Sequence, residues 1–175
     1  MSERRVLLFT GMGKGKSTAA LGMALRSFGH GMRVAVFHFV KSRRDVGEVM
    51  AIDQLAGIDQ TVCGKGFLPP KDDPAFAEHV AAAEAGLAQA QAALNSGEYR
   101  LIVLDEICYA VHRGLLDEAA VCELVKSAPT VETSLVLTGR QARESLMELA
   151  DTVTEMRPLK HGYDQGIAAQ DGIEK

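Results

Sequence analysis

The 175-residue sequence contains no tryptophan, and aromatic residues of all kinds make up only 5% of it. A basic surplus is missing too, since 19 Lys and Arg stand against 23 Asp and Glu for a net charge of −4. That balance argues against a general nucleic-acid binder, whose footprint is basic. Cys63, Cys108 and Cys122 are widely spaced, with no CxxC pair and no His/Cys cluster. Their spacing excludes a zinc array, suits a reducing cytosol and leaves the three thiols as packing residues. No apolar run approaches the ~18 residues of a membrane span, and Val6–Thr10 is too short for the core of a signal peptide. A cytoplasmic protein that neither crosses a membrane nor binds nucleic acid is expected.

What is present is ordinary in bulk: 47% hydrophobic and 24% charged residues. The length fits one domain over residues 1–175 with a substantial core. Apolar runs and helical patterns alternate. Strands are expected at Val6–Phe9, Val34–Val40, Ile58–Val62, Leu101–Leu104, Ser134–Thr138 and Thr152–Met156. Helices are expected at Ser17–Ser27, Glu48–Leu55, Ala75–Leu94, Glu106–His112, Glu118–Lys126 and Arg143–Leu149. Gly29-His30-Gly31 and Asn95-Ser96-Gly97 read as helix stops, because glycine tolerates the left-handed backbone of a helix C-terminus. Alanine dominates Ala81–Ala93, which fits either close helix packing or bare helix propensity. This alternation predicts an α/β fold, a mainly parallel sheet covered by helices on both faces, with ligands beyond the strand C-termini.

The chemistry begins at Gly11-Met12-Gly13-Lys14-Gly15-Lys16-Ser17-Thr18, which follows the first strand and opens the first helix. Glycines let successive backbone N–H groups turn inward, and a helix N-terminus adds partial positive charge. Lys16 is the expected phosphate contact and Ser17 the expected Mg²⁺ ligand of a bound nucleoside triphosphate. The loop is one residue short: the usual pattern has four residues between the first glycine and Gly-Lys-[Ser/Thr], whereas three separate Gly11 from Gly15.

Leu101-Ile102-Val103-Leu104-Asp105-Glu106 carries two acids at the end of an apolar strand. A buried strand that delivers a carboxylate to the sheet edge suits metal binding beside phosphates. Asp105 and Glu106 face opposite ways if the strand continues, so one of them meets the ligand directly. Taken alone, the pair also fits a carboxylate complementing a helix dipole. Loop and acidic strand together predict a P-loop NTPase-like three-layer fold.

Three further segments narrow the reading: Val36-Phe37-His38-Phe39-Val40-Lys41, Thr138-Gly139-Arg140, and a tail from Glu148-Leu149-Ala150-Asp151-Thr152-Val153 through Arg157-Pro158-Leu159-Lys160-His161 to Gly166-Ile167-Ala168-Ala169-Gln170-Asp171-Gly172-Ile173-Glu174. With the shortened loop, these make the chain resemble the P-loop ATP:corrinoid adenosyltransferases over about residues 5–174. The resemblance implies that cobalt(I) of a corrinoid attacks the 5′ carbon of ATP and displaces triphosphate intact. It implies adenosylcobalamin biosynthesis or salvage, with ATP as co-substrate, Mg²⁺, an electron-donating flavoprotein or reductase, and a homodimer. Carried across by motif, residues 11–18 with Lys41 and Arg140 hold the triphosphate, and Ser17 with Glu106, or Asp105, holds the metal. Lys16, Glu106 and Phe67 are the residues expected to carry the reaction.

Gly64-Lys65-Gly66-Phe67-Leu68-Pro69-Pro70 resembles the family's loop on the corrin side, where aromatic bulk helps cobalt(II) shed its axial ligand. Phe67 matches, with Leu68 and Pro69 beside it; Pro69 stands where relatives commonly have a tryptophan. Many relatives also carry an N-terminal helical extension, whereas Met1–Arg5 here leads straight into the first strand. His38, between two phenylalanines, reads as structural rather than as a cobalt ligand, and Arg43-Arg44 as a solvated loop. Two other classes stay open: a small-molecule P-loop kinase, and a non-catalytic ATP-dependent corrinoid-handling protein. A GTPase would want an Asn-Lys-x-Asp motif, which does not occur.

Overall fold

A computed structural model describes residues 3–42, 46–128 and 133–173, which leaves Arg43-Arg44 and Glu174 outside the described residues. Six strands and six α-helices follow in the order β1 Val6–Thr10, α1 Lys16–Gly29, β2 Val34–His38, α2 Gly47–Ile52, β3 Ile58–Val62, α3 Phe76–Ser96, β4 Leu101–Asp105, α4 Ile107–Arg113, α5 Glu118–Ser127, β5 Ser134–Thr138, α6 Glu144–Glu148 and β6 Thr152–Glu155. The strands form one sheet ordered β3-β2-β4-β5-β1-β6. Every pairing is parallel, so the sheet is wholly rather than mainly parallel.

Side chains alternate between the two faces, as the pleat dictates. On one face Val6, Leu8, Ala35, Phe37, Ile102, Leu104, Leu135 and Leu137 join α3, α4 and α5 in a common core. On the other, Val34, Val36, Leu101, Val103 and Val136 pack with Ala20 and Ala24 of α1 and Ile52 of α2. Both faces are thus covered, which is why the central strands are continuously apolar. β6 is the exception: it is a polar edge strand, exposed throughout.

Two helix features had more than one reading in sequence. On α3 the buried positions are Ala83, Gly86, Ala90 and Leu94, and a Cβ on Gly86 would stand 2.5 Å from Cys63 Sγ. The small residues therefore serve close approach of α3 to the end of β3. The expected helix over Glu106–His112 starts one residue later, because Glu106 adopts a left-handed backbone, φ 63°.

Candidate active site

The loop between β1 and α1 is shaped by its glycines and by the tail. Gly11 and Gly15 have φ of 95° and 106°, a region side chains disfavour. Gly13 N–H donates to Met156 O at 2.7 Å, and a Cβ on Gly13 would itself lie 2.7 Å from that oxygen. The backbone after β6 is thus the floor on which the shortened loop rests. Asp151 secures β6 in turn: its Oδ2 accepts from Val6 N–H at 2.7 Å, and its N–H donates to Val6 O at 2.8 Å. This gives the tail motif a physical reason, since it seats the phosphate loop.

Lys16, only 6% exposed, donates from Nζ to Gly13 O at 2.7 Å. Burial lowers its pKa; the Glu106 charge resists, Arg140 pushes the same way as burial, and Asp105 resists again. A cation held in this state is primed to accept anionic oxygens.

Ser17 Oγ donates to Asp105 Oδ1 at 2.6 Å. Asp105 is buried and accepts three further contacts: Thr138 Oγ1 at 2.9 Å on Oδ1, and His38 Nδ1 at 2.9 Å and Lys41 Nζ at 3.1 Å on Oδ2. Burial alone would raise its pKa, but the His38 hydrogen bond, the Lys41 charge, the His38 charge and the Ser17 hydroxyl hold it far below the usual carboxylate range. His38 is wholly buried, and its Nε2 has no partner. It reaches Asp105 because parallel register pairs the two residues across β2 and β4.

Glu106 differs in every respect. Its N–H donates to Thr138 Oγ1 at 2.9 Å, while among the described residues no hydrogen bond or ion pair engages its carboxylate. Burial and repulsion from Asp105 raise its pKa, against Lys16, Arg140 and Lys41. A left-handed non-glycine residue is strained by about 1–3 kcal/mol, and here that geometry ends the strand and turns Glu106 toward the clefts. Lys41 Nζ bridges Asp105 to Glu48 Oε1, the latter at 2.7 Å. Burial opposes its charge, but the Asp105 charge and Glu48 outweigh it and raise the pKa.

Two clefts open here, beyond the C-terminal ends of the strands. One, of about 620 Å³, is lined by Met12–Thr18, with His161, Gly172 and Ile173 of the tail above it. The other, of about 650 Å³, is walled by Val40, Val46, Gly66, Phe67, Leu68, Tyr109 and Arg113. Lys41, Glu48, Glu106 and Arg140 line both, so one cationic and acidic partition separates and joins them.

Of the residues singled out in sequence, Lys14, Lys16, Ser17, Thr18, Lys41, Glu106 and Arg140 meet at the first cleft. Gly11 instead packs under the loop against Met156, and Asp105 lies behind Ser17, lining neither cleft. Phe67 is 95% exposed at the mouth of the second cleft beside Leu68, while Pro69 is not part of its wall. Sequence reasoning missed Glu48, Tyr109, Arg113 and Thr138. Only Thr138 had a signal, its place in the Thr-Gly-Arg strand end; the others sit on helices whose pattern speaks only of amphipathicity.

A glycine loop that opens a helix, backed by a buried strand-end carboxylate and rimmed with cations, defines a nucleotide-binding protein of the P-loop class. The fold agrees: the KaiC-like protein PH0186 from Pyrococcus horikoshii OT3 superimposes with a TM-score of 0.60 at 17% identity, covering 91% of this chain and 75% of that one. The family described as ATP:corrinoid adenosyltransferase BtuR/CobO/CobP matches residues 2–174. Corrinoid adenosyltransferases from Sinorhizobium sp and Pseudomonas aeruginosa are 39% and 38% identical, over 97% and 98% of this chain and 79% and 84% of theirs. The Escherichia coli K12 enzyme is 36% identical over 97% of this chain and 84% of its own. The chain belongs to the ATP:corrinoid adenosyltransferase family, and its activity is the ATP-dependent adenosylation of corrinoids.

Proposed function

We propose that residues 1–175 act as one adenosyltransferase domain in which the two clefts hold the two substrates and the shared partition is where they react. The observation that carries this reading is the partition itself, Lys41, Glu48, Glu106 and Arg140, common to a phosphate-binding cleft and a largely apolar one. The 5′ carbon of ATP and the cobalt(I) of the corrinoid meet across it. A cobalt–carbon bond forms, the bond from C5′ to the triphosphate oxygen breaks, and the electron pair leaves with intact triphosphate.

No proton moves in that displacement, so no general base is required. The protein's tasks are alignment and stabilisation of the departing charge. Residues 11–18 wrap the triphosphate. Lys16 exchanges its bond to the Gly13 carbonyl for a stronger one to a phosphate oxygen. Lys41 and Arg140 add charge from the partition, and Lys14 from the loop.

The donor set fits Mg²⁺: a hydroxyl on Ser17 and an unengaged carboxylate on Glu106 are hard oxygen ligands at the phosphate cleft. Among the described residues no three His, Cys, Asp or Glu side chains converge, so Ser17 and Glu106 are the protein oxygens that would hold the ion. A bound Mg²⁺ would supply charge neutralisation beside the triphosphate. With both carboxylate oxygens engaged, Asp105 serves by orienting the Ser17 hydroxyl. On the corrin side Phe67, with Leu68, supplies apolar bulk against the lower axial ligand of cobalt(II), while Pro69 stands outside the cleft wall.

An electron-donating flavoprotein or reductase, a homodimer and a cytoplasmic setting complete the reading. Among the described residues no helix is long and apolar enough to cross a membrane. Incubation with ATP, Mg²⁺ and chemically reduced corrinoid tests it, read by the cobalt–carbon absorption and the phosphate species released. Triphosphate in step with the alkylated corrinoid is expected; ADP would point to a kinase, and no stoichiometric product to a handling protein.

A further inference from the structure

The apolar cleft carries a charge that the adenosyl transfer does not use. Arg113 ends α4 and lines this cleft but not the phosphate cleft. Its Nη1 donates to Tyr109 Oη at 2.8 Å, and its guanidinium lies 5.6 Å from the centre of the Tyr109 ring. Both contacts are to one neutral residue, a turn earlier on the same helix. Among the described residues no carboxylate pairs with Arg113. The acids that share the cleft face other cations: Glu48 is bonded to Lys41, and Glu106 feels Lys16 and Arg140. The C-terminal turn of α4 favours a cation. His112 lies in that turn as well, yet lines neither cleft.

We propose that Arg113, held by Tyr109, is a specificity-determining residue that reads an anionic oxygen group at the corrin periphery. The inference rests on the assignment of the second cleft to the corrinoid. The chemistry is that of a planar guanidinium with N–H donors left over after one goes to the tyrosine. A corrin ring bears side chains that end either in neutral amides or in carboxylates, and some corrinoids carry a phosphate on one arm. An amide oxygen offers Arg113 an ordinary hydrogen bond, whereas carboxylate or phosphate offers a charge-assisted and potentially bidentate one. The cleft therefore favours corrinoids with anionic oxygens on the edge that faces α4. Tyr109 fixes the direction of the fork and removes rotamer freedom that binding would otherwise have to quench.

Equilibrium dialysis, read by the visible absorption of the corrin, tests this on the full chain with ATP and Mg²⁺ present. The probes are cobyrinic acid, with free carboxylates, cobinamide, with neutral amides, and cobinamide phosphate, with amides and one phosphate. Wild type is expected to bind at least one anionic probe about tenfold more tightly than cobinamide, as for one partly exposed charge-assisted pair. Which anionic probe gains identifies the source, carboxylate or phosphate. Arg113→Gln is expected to erase that preference, weakening the favoured anionic probe about tenfold more than it weakens cobinamide, which loses at most an ordinary hydrogen bond, and Arg113→Lys to restore part of it. Tyr109→Phe is expected to lower the preference by about threefold, as for one neutral hydrogen bond. Equal loss for all three probes in Arg113→Gln, or an undiminished preference, overturns the assignment of Arg113 while leaving the cleft assignment standing. Failure of wild type to bind any of the three overturns the cleft assignment, and this inference with it.

Discussion

Ser17 Oγ and Asp105 Oδ1 stand 2.6 Å apart although 88 positions separate them in the chain. The bond ties the first turn of α1 to the end of β4 across the intervening β5. It leaves the Ser17 hydroxyl with a fixed direction before any ligand arrives. Asp105 can hold it because four donors from three separate segments saturate its carboxylate. The loop is therefore preorganised by Asp105 at Ser17 and by Met156 beneath Gly13.

That network makes a stability prediction. Asp105→Asn puts an amide NH₂ among donors and removes the charge they face, which should cost about 3 kcal/mol or more in urea unfolding. The pH dependence has a definite sign. The folded pKa of Asp105 lies below its ordinary value of 3.8, so its contribution is fully present above about pH 4 and is lost as pH falls further, toward the depressed folded pKa. In the nucleotide-free and metal-free protein, wild type should lose stability steeply below pH 4. The variant, already weaker, should show a shallower slope there; parallel slopes would mean that Asp105 is not the group involved.

Lys16→Ala should weaken ATP binding by more than about tenfold, because a charge-assisted phosphate contact is deleted. The melting temperature should not fall. Burial already disfavours this ammonium, so its removal relieves a cost as it breaks one bond to a loop carbonyl. Calorimetric titration with ATP decides the point, and unchanged affinity in a folded variant would refute the phosphate-loop assignment.

Glu106→Gln should impair Mg²⁺-dependent turnover more than it impairs ATP binding without metal. Its carboxylate is the unengaged hard ligand at the partition, and glutamine keeps the shape without the charge. Turnover measured against Mg²⁺ concentration should show the half-saturation point moving up by at least about tenfold, since even the outer partners of metal ligands cost that much. A wild-type metal profile would reduce Glu106 to a structural turn residue.

Phe67→Ala should leave the melting temperature unchanged, since the side chain is 95% exposed. Electron paramagnetic resonance of cobalt(II) cobalamin with the ATP-bound variant should lose the four-coordinate signal. Activity on chemically prepared cobalt(I), which has no axial ligand to displace, should survive. A normal four-coordinate signal would place the wedge elsewhere on the cleft.

Much of this was legible in the chain order of the residues. Gly11–Thr18 reads as an anion site because backbone geometry and local charge, both encoded within eight residues, suit one. The apolar strands announce a two-faced parallel sheet because buried strands need side chains that suit both faces. The tail motif was recognisable by resemblance, but its reason was not, since nothing local to Asp151 or Met156 points to Val6 or Gly13.

The division between Asp105 and Glu106 shows where sequence alone stops. Sequence by itself determined that two acids end an apolar strand; which of them faces the clefts depends on parallel register. Register pairs Asp105 with His38 and draws in Lys41, Thr138 and Ser17, and so turns Asp105 into a buried acceptor. The left-handed turn at Glu106 then leaves its carboxylate facing the clefts. Arg113 is the same lesson at the other wall: its helix position is local, but that no carboxylate among the described residues pairs with it is a property of everything packed around it. Local sequence sets which groups are charged and which backbone turns are allowed. Whether a charge is neutralised depends on distances between segments remote in the chain, and only the packed structure fixes those.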